Sequence, residues 1–342
     1  MDPLGLKPLG RSGVRLPALG LGGAPLGNLF SRVPEADAEA TLEAAWDAGV
    51  RFYDTSPWYG RGLSEHRFGH VLRQKPRDEL ILSTKVGRVF RAPKNRAAFR
   101  ASARAWEHGL EFEHVHDYSY DGIMRSYEDS LTRLGLNRID LLVIHDLDLA
   151  NMQRIELVKD HMVQLSTSGI RALDELKASG EIRAYGAGVN RTGTIPMFLD
   201  RVDLDFFLVA LPYTLAEQPV LDAEFPLLEK RGIGVVIGGV FASGILATGP
   251  VPGATYNYGM PTPEQAARVR RMGELAQEAG TSLAAAALHF TLHHPVVASV
   301  IPGAIRPEQV LRNIASMRQE VPARFWAALK AEGLLREDAP TP

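Results

Sequence analysis

Four polar side chains interrupt apolar runs of this chain near the carboxyl ends of those runs. Asp54 and Tyr59 belong to "FYDTSPWYG", Lys85 to "ILSTKVG" and His145 to "LLVIHDL". A buried lysine or aspartate is costly on its own, so Lys85 and Asp54 are expected to pair. A phenol has a pKa of about 10, and a nearby ammonium group lowers that value. We therefore predict that Tyr59 exchanges a proton with a substrate oxygen to which His145 donates a hydrogen bond.

The elements that must position these residues repeat along the chain. Eight apolar runs of strand length alternate with longer helical segments, and several runs lack polar alternation, which is typical of strands covered on both faces. The runs span residues 16–23, 50–56, 79–87, 139–147, 181–189, 206–213, 234–241 and 296–303. The order predicts an α/β protein with a (β/α)₈ TIM barrel. Polar groups at the carboxyl ends of barrel strands meet at one mouth, which would bring the four side chains together.

Three long connections follow predicted strands, at 88–121, 146–168 and 242–260, and we expect them at the C-terminal face of the barrel. No internal repeat or linker divides the sequence, so one domain is predicted over 1–342. The competing doubly wound fold would need a glycine fingerprint after an early strand. "GLGGAPLG" has Pro25 where the third glycine would stand, which disfavours that fold.

The composition excludes several classes of protein. Hydrophobic residues are 45% of the 342 residues, which is enough for a large core, and the formal net charge of −2 gives no basic surface for nucleic acid. No apolar run approaches the roughly 20 residues that span a bilayer, and "MDPLGLKPLGRSG" lacks the apolar region of a signal peptide. We therefore expect a cytoplasmic protein with neither nucleic-acid nor membrane partners.

Metal and thiol chemistry find no support in the sequence. The chain has no cysteine, which excludes disulfides, thiolate catalysis and cysteine-based zinc sites. The histidines of "HVH" (114–116) and "HH" (293–294) lack a metalloenzyme pattern. No metal site is predicted.

The set "YDTSPWYG", "STK" and "IHD" inside eight β/α units resembles the aldo-keto reductases. The resemblance implies that Asp54, Tyr59, Lys85 and His145 are a catalytic tetrad. It also implies nicotinamide-dependent hydride transfer to or from a carbonyl carbon, with the cofactor lying across the barrel mouth, and we expect an N-terminal β-hairpin in front of the barrel. The partner would be a small sugar or aldehyde, and a homodimer is left open.

A narrower resemblance concerns four segments, at 117–148, 186–190, 211–218 and 254–261. They are similar to the bacterial branch that contains L-fucose, D-threo-aldose and galactose dehydrogenases, with a close relative that oxidises pyridoxal. The resemblance implies oxidation of an aldose at C1 to the lactone, with Tyr59 as the base. Pyridoxal oxidation and general aldehyde or ketone reduction are the alternatives among enzymes. A non-catalytic nicotinamide-binding sensor or subunit is the alternative of a different class.

The resemblance also implies contacts for cofactor and substrate. The expected cofactor contacts are Gly22, Asp54, Asn190, Gly239, Phe241, Gly303, Ala304, Arg306, Gln309 and Asn313. The expected substrate contacts are Trp58, Tyr118, His145, Asp146 and Tyr258. The aromatic members of this second set would offer their faces to the apolar C–H faces of a sugar.

Some positions depart from the family pattern. Val189 stands where a serine precedes Asn190, Ala210 stands where a glutamine is usual, and Gly238 or Gly239 stands where an aromatic ring is common. At the adenosine end, NADP-preferring relatives carry Lys and Arg, whereas this chain has Gly303 and Gln309, which leaves Arg306 as the nearby cation. We therefore predict NAD as the preferred cofactor, with residual use of NADP.

Overall fold

The computed structural model describes residues 1–102 and 106–342 of the chain. The strands of this part are β1 (Leu6–Pro8), β2 (Arg15–Pro17), β3 (Leu21–Gly22), β4 (Phe52–Asp54), β5 (Ile81–Val86), β6 (Arg88–Arg91), β7 (Glu113–His116), β8 (Leu141–Ile144), β9 (Ala184–Val189), β10 (Phe206–Ala210), β11 (Gly234–Gly238) and β12 (Val297–Val300). The helices are α1 (Glu35–Asp47), α2 (Leu63–Leu72), α3 (Arg96–Ser102), α4 (Tyr120–Leu134), α5 (Leu149–Met152), α6 (Ile155–Gln164), α7 (Ile170–Ala178), α8 (Thr194–Leu199), α9 (Glu224–Arg231), α10 (Ile245–Thr248), α11 (Pro263–Ala279), α12 (Leu283–His293), α13 (Pro307–Arg318) and α14 (Ala323–Ala331). None of the helices found in these ranges is long and apolar enough to cross a membrane.

Eight parallel strands form one sheet in the order β12-β11-β10-β9-β8-β5-β4-β3. The two outer strands meet through the pairs Leu19–Val300 and Gly22–Gly303, and the amide of Gly20 donates to the carbonyl of Val300 at 2.9 Å. The sheet therefore closes on itself with helices around it, and the predicted (β/α)₈ barrel is confirmed.

Alternate residues of the strands face two different apolar layers. Leu141 and Phe206 pack with the barrel interior, whereas the next residues, Leu142 and Phe207, belong to the layer beneath the helices. This alternation has the period of two that strand geometry requires. The antiparallel pair β1–β2 contributes Leu16 to the interior cluster, so the predicted N-terminal hairpin is confirmed and packs against the barrel core.

Local sequence signals fix the ends of α4, the helix before β8. Ser119 caps its beginning, because the Ser119 hydroxyl accepts a hydrogen bond from the amide of Gly122 at 3.1 Å. Gly135 ends the helix in the left-handed region, with φ of 63°. The buried stripe between them includes Ile123 and Tyr127, four residues apart on one face. The helix therefore packs against the barrel and directs the chain into β8.

The long connection at 88–121 contains elements that the sequence did not predict. β6 and β7 pair with each other as an antiparallel hairpin, and α3 lies between them in the chain. Residues 103–105 of this connection lie outside the described residues. The hairpin begins directly after β5, so it rises from the end of the strand that carries Lys85.

Two glycines in helix interiors give a matched test of packing. Alanine favours a helix over glycine by about 0.5–1 kcal/mol, so Gly273→Ala in α11, where a Cβ meets no atom within 4 Å, should raise the free energy of unfolding by that amount. A Cβ at Gly69 in α2 would press into the backbone carbonyl of Leu134. Gly69→Ala should therefore lower the free energy of unfolding by roughly 1–3 kcal/mol, although alanine favours a helix over glycine. Denaturant unfolding of both variants measures the difference, and changes of equal sign would contradict this packing.

Candidate active site

The loop after β4 carries Tyr59 at the barrel mouth, and two glycines set its path. Gly60 has φ of 64°, and a Cβ there would lie 2.6 Å from the carbonyl oxygen of Gly27. A Cβ on Gly27 would lie 2.5 Å from the carbonyl carbon of Tyr59. Only glycine at both positions lets the turn at Pro25–Gly27 lie directly against the backbone of Tyr59. This contact fixes where the phenol stands.

Lys85 and Asp54 form a buried ion pair beneath the phenol. The Lys85 Nζ donates to Asp54 Oδ2 at 2.7 Å and to the carbonyl of Thr55 at 2.8 Å, and Ser83 donates to Asp54 Oδ1 at 2.8 Å. The register of β4 on β5, with Asp54 opposite Ser83, brings these groups together. Burial raises the pKa of Asp54 against the opposing charge of Lys85. The predicted pairing of Lys85 with Asp54 is confirmed.

The prediction that the pKa of Tyr59 lies below its usual value is wrong. The Lys85 ammonium lies 4.7 Å from the centre of the Tyr59 ring, but its charge is compensated by Asp54. Burial raises the pKa of Tyr59 well above its usual value, and the carboxylates of Asp54 and Asp146 raise it further. Tyr59 is therefore protonated at neutral pH in the protein alone.

His145 follows β8 and faces Tyr59, with 5.9 Å between the ring centres. Its backbone amide donates to the carbonyl of Val86 at 3.0 Å, which ties it to the end of β5. Its Nδ1 lies 3.1 Å from the Ser56 hydroxyl and 3.2 Å from Nη1 of Arg88. Burial lowers the pKa of His145 well below its usual value, so the imidazole is neutral.

Asp146 lies next to His145 in a strained backbone conformation, with φ of 53°. Its Oδ2 accepts from Arg88 at 2.8 Å, and its Oδ1 accepts from the side-chain amide of Asn190 at 3.1 Å. Burial alone would raise the pKa of Asp146, but the charge of Arg88 and the hydrogen bonds from Arg88 and Asn190 hold it below its usual value. The carboxylate is therefore charged and links the end of β8 to the end of β9.

Two cavities meet at Tyr59. The first, of about 390 Å³, has as its lining Ala24, Leu29, Trp58, Tyr59, Lys85, Trp106, His145, Asp146, Ala150, Asn151, Gly188, Val189, Asn190, Arg191, Leu208, Ala210, Leu211, Asn257 and Tyr258. The second, of about 280 Å³, extends from Tyr59 past the end of β11 to the beginning of α13. Tyr59 and Tyr258 line both cavities, so the phenol stands where the two spaces join.

The structure brings most of the predicted site residues to these cavities. The first cavity is lined by Trp58, Tyr59, Lys85, His145, Asp146, Asn190 and Tyr258. The second is lined by Gly22, Asp54, Gly239, Phe241, Gly303, Ala304 and Gln309. Neither cavity is lined by Arg306, which directly precedes α13, or by Asn313, which lies within α13.

Tyr118 is placed differently from the prediction of a substrate contact. Its side chain is fully buried and lines neither cavity. Its hydroxyl donates to the carbonyl of His145 at 2.7 Å. It therefore supports the backbone at the end of β8, and its burial beneath the mouth keeps it out of both cavities.

Sequence reasoning missed Arg88, Ser56 and Trp106. Arg88 begins β6 and contacts both His145 and Asp146, and Ser56 contacts His145. Trp106 packs 5.8 Å from the Tyr59 ring, centre to centre. Arg88 and Trp106 belong to the connection after β5, where no periodic pattern singles them out. Their position in a long connection after a barrel strand was the only available signal.

The residues that line the second cavity suit the nucleotide part of a nicotinamide dinucleotide. The wall of this cavity includes the backbone of Gly238, Gly239 and Gly303, which lets a ligand approach the main chain closely. The beginning of α13 offers amide groups and the positive end of the helix to a phosphate. Asn190 lies in the first cavity, beyond Tyr59, where it can bind a carboxamide. In the described part of the chain, no group of three or more His, Cys, Asp or Glu residues is placed to bind a metal ion.

Comparison with known proteins agrees with this geometry. The sequence matches the Aldo/keto reductase family over residues 18–332. A pyridoxal 4-dehydrogenase from Microbacterium luteolum is 43% identical over 340 residues, covering 96% of this chain and 97% of the relative. A D-threo-aldose 1-dehydrogenase from Pseudomonas sp is 37% identical, with 97% of each chain covered. The solved structure of aldo-keto reductase AKR11C1 from Bacillus halodurans in its holo form has a TM-score of 0.71 and 26% identity, covering 99% of this chain and 98% of that one.

The two sequence relatives confirm the resemblance to the branch of aldose and pyridoxal dehydrogenases. Both are named as dehydrogenases, which favours an enzyme over a non-catalytic sensor. This chain belongs to the aldo/keto reductase family and is an oxidoreductase that acts on CH–OH groups of small molecules with a nicotinamide cofactor.

Proposed function

We propose that this enzyme oxidises the hemiacetal hydroxyl at C1 of an aldose to the lactone, with NAD as the preferred cofactor. The observation that carries the proposal is the phenol of Tyr59 in the first cavity, beside the neutral imidazole of His145 and above the Lys85–Asp54 pair. A phenol and an imidazole that face the same space can act on one substrate oxygen. Interconversion of a hydroxyl and a carbonyl group can use that arrangement for its proton transfer.

The chain supplies the groups that bind the oxygen and move its proton. When bound, the nicotinamide ring supplies the acceptor for the hydride that leaves C1. Tyr59, in its ionised form, takes the proton of the C1 hydroxyl, and His145 donates a hydrogen bond to the same oxygen. The C1–O bond becomes the lactone carbonyl as one hydride and one proton leave. In the reverse direction, protonated Tyr59 returns the proton to the carbonyl oxygen.

The lining of the first cavity supports a sugar as substrate. Trp58, Trp106 and Tyr258 provide aromatic surface for the apolar C–H faces of a sugar ring. Asp146 and Asn151 provide acceptors and donors for its hydroxyl groups. The combination suits a ring that is apolar on its faces and polar at its edge.

Pyridoxal is a second candidate because the relative named as a pyridoxal 4-dehydrogenase is 43% identical over 96% of this chain. Pyridoxal forms an internal hemiacetal, and its oxidation also gives a lactone. The roles of Tyr59 and His145 would be unchanged. The aromatic lining of the first cavity would then contact the pyridine ring.

The loop before α13 supports the proposed preference for NAD. A Cβ at Gly303 would lie 2.5 Å from Cγ of Pro25, so a lysine there would displace that proline. Gln309 uses its Oε1 to accept from the amide of Ile305 at 2.8 Å, and it brings no charge to the loop. Arg306 is the cation of this loop, and Glu308 adds a negative charge close by. A 2′-phosphate would therefore meet little positive charge.

A panel of substrates and both cofactors tests the proposed function. We expect reduction of NAD⁺ with L-fucose, D-arabinose, L-xylose or D-galactose, a lactone as the product, and lower kcat/KM with pyridoxal. With one sugar held constant, kcat/KM should be at least about tenfold higher with NAD⁺ than with NADP⁺, since taking a phosphate out of water without a charged partner costs at least about 1–3 kcal/mol. Turnover of pyridoxal without turnover of any sugar would replace the first candidate by the second. A preference for NADP⁺ would contradict the interpretation of the loop before α13.

Removal of the Tyr59 hydroxyl tests its role in proton transfer. Tyr59→Phe should lower kcat by at least about 100-fold, the lower end for general acid–base catalysis, with cofactor affinity unchanged because the ring remains. Tyr213→Phe is the matched control: its hydroxyl is buried and finds no hydrogen-bond partner in the described parts of the chain, so its loss should leave kcat unchanged. Steady-state kinetics and cofactor titration of both variants measure the two effects. Near-normal turnover of Tyr59→Phe would remove Tyr59 from the reaction.

The charge of Lys85 should appear in the pH dependence of oxidation. Oxidation uses ionised Tyr59, so its rate rises with pH as the phenol loses its proton. Lys85→Met removes a positive charge 4.7 Å from the ring and leaves Asp54 without its partner. Both changes raise the pKa of Tyr59, so the alkaline rise should move to higher pH while kcat falls. Lys7→Met is the control, because Lys7 donates to the carbonyl of Leu292 in a part of the molecule outside both cavities. Identical pH profiles of Lys85→Met and the unmodified enzyme would exclude this role.

A further inference from the structure

Arg88 lies behind His145 and is the first residue of β6. It follows Gly87, whose φ of 105° and close contact with the Tyr118 ring leave no room for a side chain. This turn directs Arg88 back over the barrel mouth, where the residue is only 5% exposed. Its guanidinium lies 4.7 Å from the centre of the Trp58 ring. The position of the guanidinium is therefore fixed by the backbone, by Trp58 and by Asp146.

The Nδ1 of His145 has two polar neighbours with different properties. The Ser56 hydroxyl, at 3.1 Å, can either donate to a ring nitrogen or accept from one. Nη1 of Arg88, at 3.2 Å, can only donate, because a guanidinium has no acceptor. An N–H group on Nδ1 would point its hydrogen at a donor. Ser56 alone would therefore permit both neutral forms of the imidazole, whereas Arg88 permits one.

We propose that Arg88 is the positioning residue that holds His145 in the neutral form with its proton on Nε2. The other ring nitrogen then accepts from Arg88. Nε2 lies 3.5 Å from Asp146 Oδ2, beyond an ordinary hydrogen bond, so its N–H remains available to a substrate oxygen. This last consequence rests on the proposed function, whereas the location of the proton does not.

The same arginine balances the charge beside His145. The charged and titratable groups around the imidazole are Asp146, Arg88, Lys85, His116 and Tyr59. Asp146 favours the protonated imidazole, and the positive charges oppose it. Without Arg88, the carboxylate of Asp146 would keep its bond from Asn190 but lose its ion pair. Loss of Arg88 should therefore allow either ring nitrogen of His145 to carry the proton. It should also make protonation of the ring easier.

Nitrogen NMR of the full-length enzyme without substrate tests the proposal directly. Two-bond ¹H–¹⁵N spectra of ¹⁵N-histidine-labelled protein distinguish protonated from unprotonated ring nitrogens, and loss of one pattern in His145→Gln assigns His145. In the unmodified enzyme we expect a protonated Nε2 and an unprotonated Nδ1, unchanged between pH 6 and 8. A protonated Nδ1 in the unmodified enzyme would overturn the proposal without need of any Arg88 variant.

Two variants separate Arg88 from Ser56. Arg88→Met should give a mixture of the two neutral forms, or a ring that titrates at higher pH than in the unmodified enzyme. Ser56→Ala should keep the proton on Nε2, because Arg88 remains. A retained Nε2–H pattern in folded Arg88→Met would show that another group holds the proton and would overturn the proposal.

Kinetics give the independent readout. Arg88→Met should lower kcat by about tenfold or more, towards the 10²–10³ that loss of a preorganised donor costs, while the dissociation constant for the cofactor stays unchanged. Arg91→Met is the control on the same strand: Arg91 is half exposed and pairs with Glu113, so kcat should not change. An equal loss in both arginine variants would assign the effect to the hairpin as a whole and reject the proposal. Failure of every sugar as substrate would contradict the proposed function but leave the NMR result intact, so the two failures are distinguishable.

Discussion

The buried ion pair of Lys85 and Asp54 is the interaction on which the rest of the mouth depends. Removing one partner of such a pair typically costs about 3–5 kcal/mol, because the remaining charge has no compensation. Here the hydroxyl of Ser83 and the carbonyl of Thr55 satisfy the remaining hydrogen-bonding capacity. These partners are in place only if β4 and β5 keep their register, with Asp54 opposite Ser83. The register of the barrel strands therefore determines whether the buried charges at the mouth find their partners.

A second buried pair, Arg88 with Asp146, balances the first. Burial and the carboxylates of Asp54 and Asp146 raise the pKa of Tyr59, whereas the charge of Arg88 lowers it. A protonated phenol can donate to a carbonyl oxygen at neutral pH, whereas accepting a proton needs alkaline conditions or added positive charge. The protein alone thus favours the reductive role of Tyr59. At neutral pH, oxidation in the proposed reaction therefore depends on additional positive charge close to the Tyr59 ring.

The sequence predicted the barrel and the meeting of Asp54, Tyr59, Lys85 and His145 at its mouth because both leave local signals. Eight apolar runs mark the strands, and Asp54, Lys85 and His145 interrupt three of them at the end that faces the mouth. The predicted direction of the pKa shift at Tyr59 was wrong because the interpretation counted the charge of Lys85 but neither the burial of the phenol, which is the largest cause, nor the effect of the nearby carboxylates on the phenol. Arg88 was missed because its role arises from the turn at Gly87 and from a hairpin whose two strands pair only with each other. Contacts of this kind are tertiary and leave no periodic pattern.

Closure of the barrel also constrains the cofactor end of the site. β3 and the segment after β12 meet at Gly22 and Gly303, where a Cβ at Gly22 would lie 2.6 Å from the carbonyl oxygen of Ile301. The same seam lines the second cavity, so the residues that close the sheet also form the wall a dinucleotide would contact. Pro25 packs against Gly303 there, and its turn continues to Gly27, which contacts Tyr59. A lysine at 303 would therefore disturb the support of the phenol as well as the cofactor wall. Because packing leaves no room for a lysine side chain at Gly303, positive charge for a 2′-phosphate would have to come from another residue, such as Arg306.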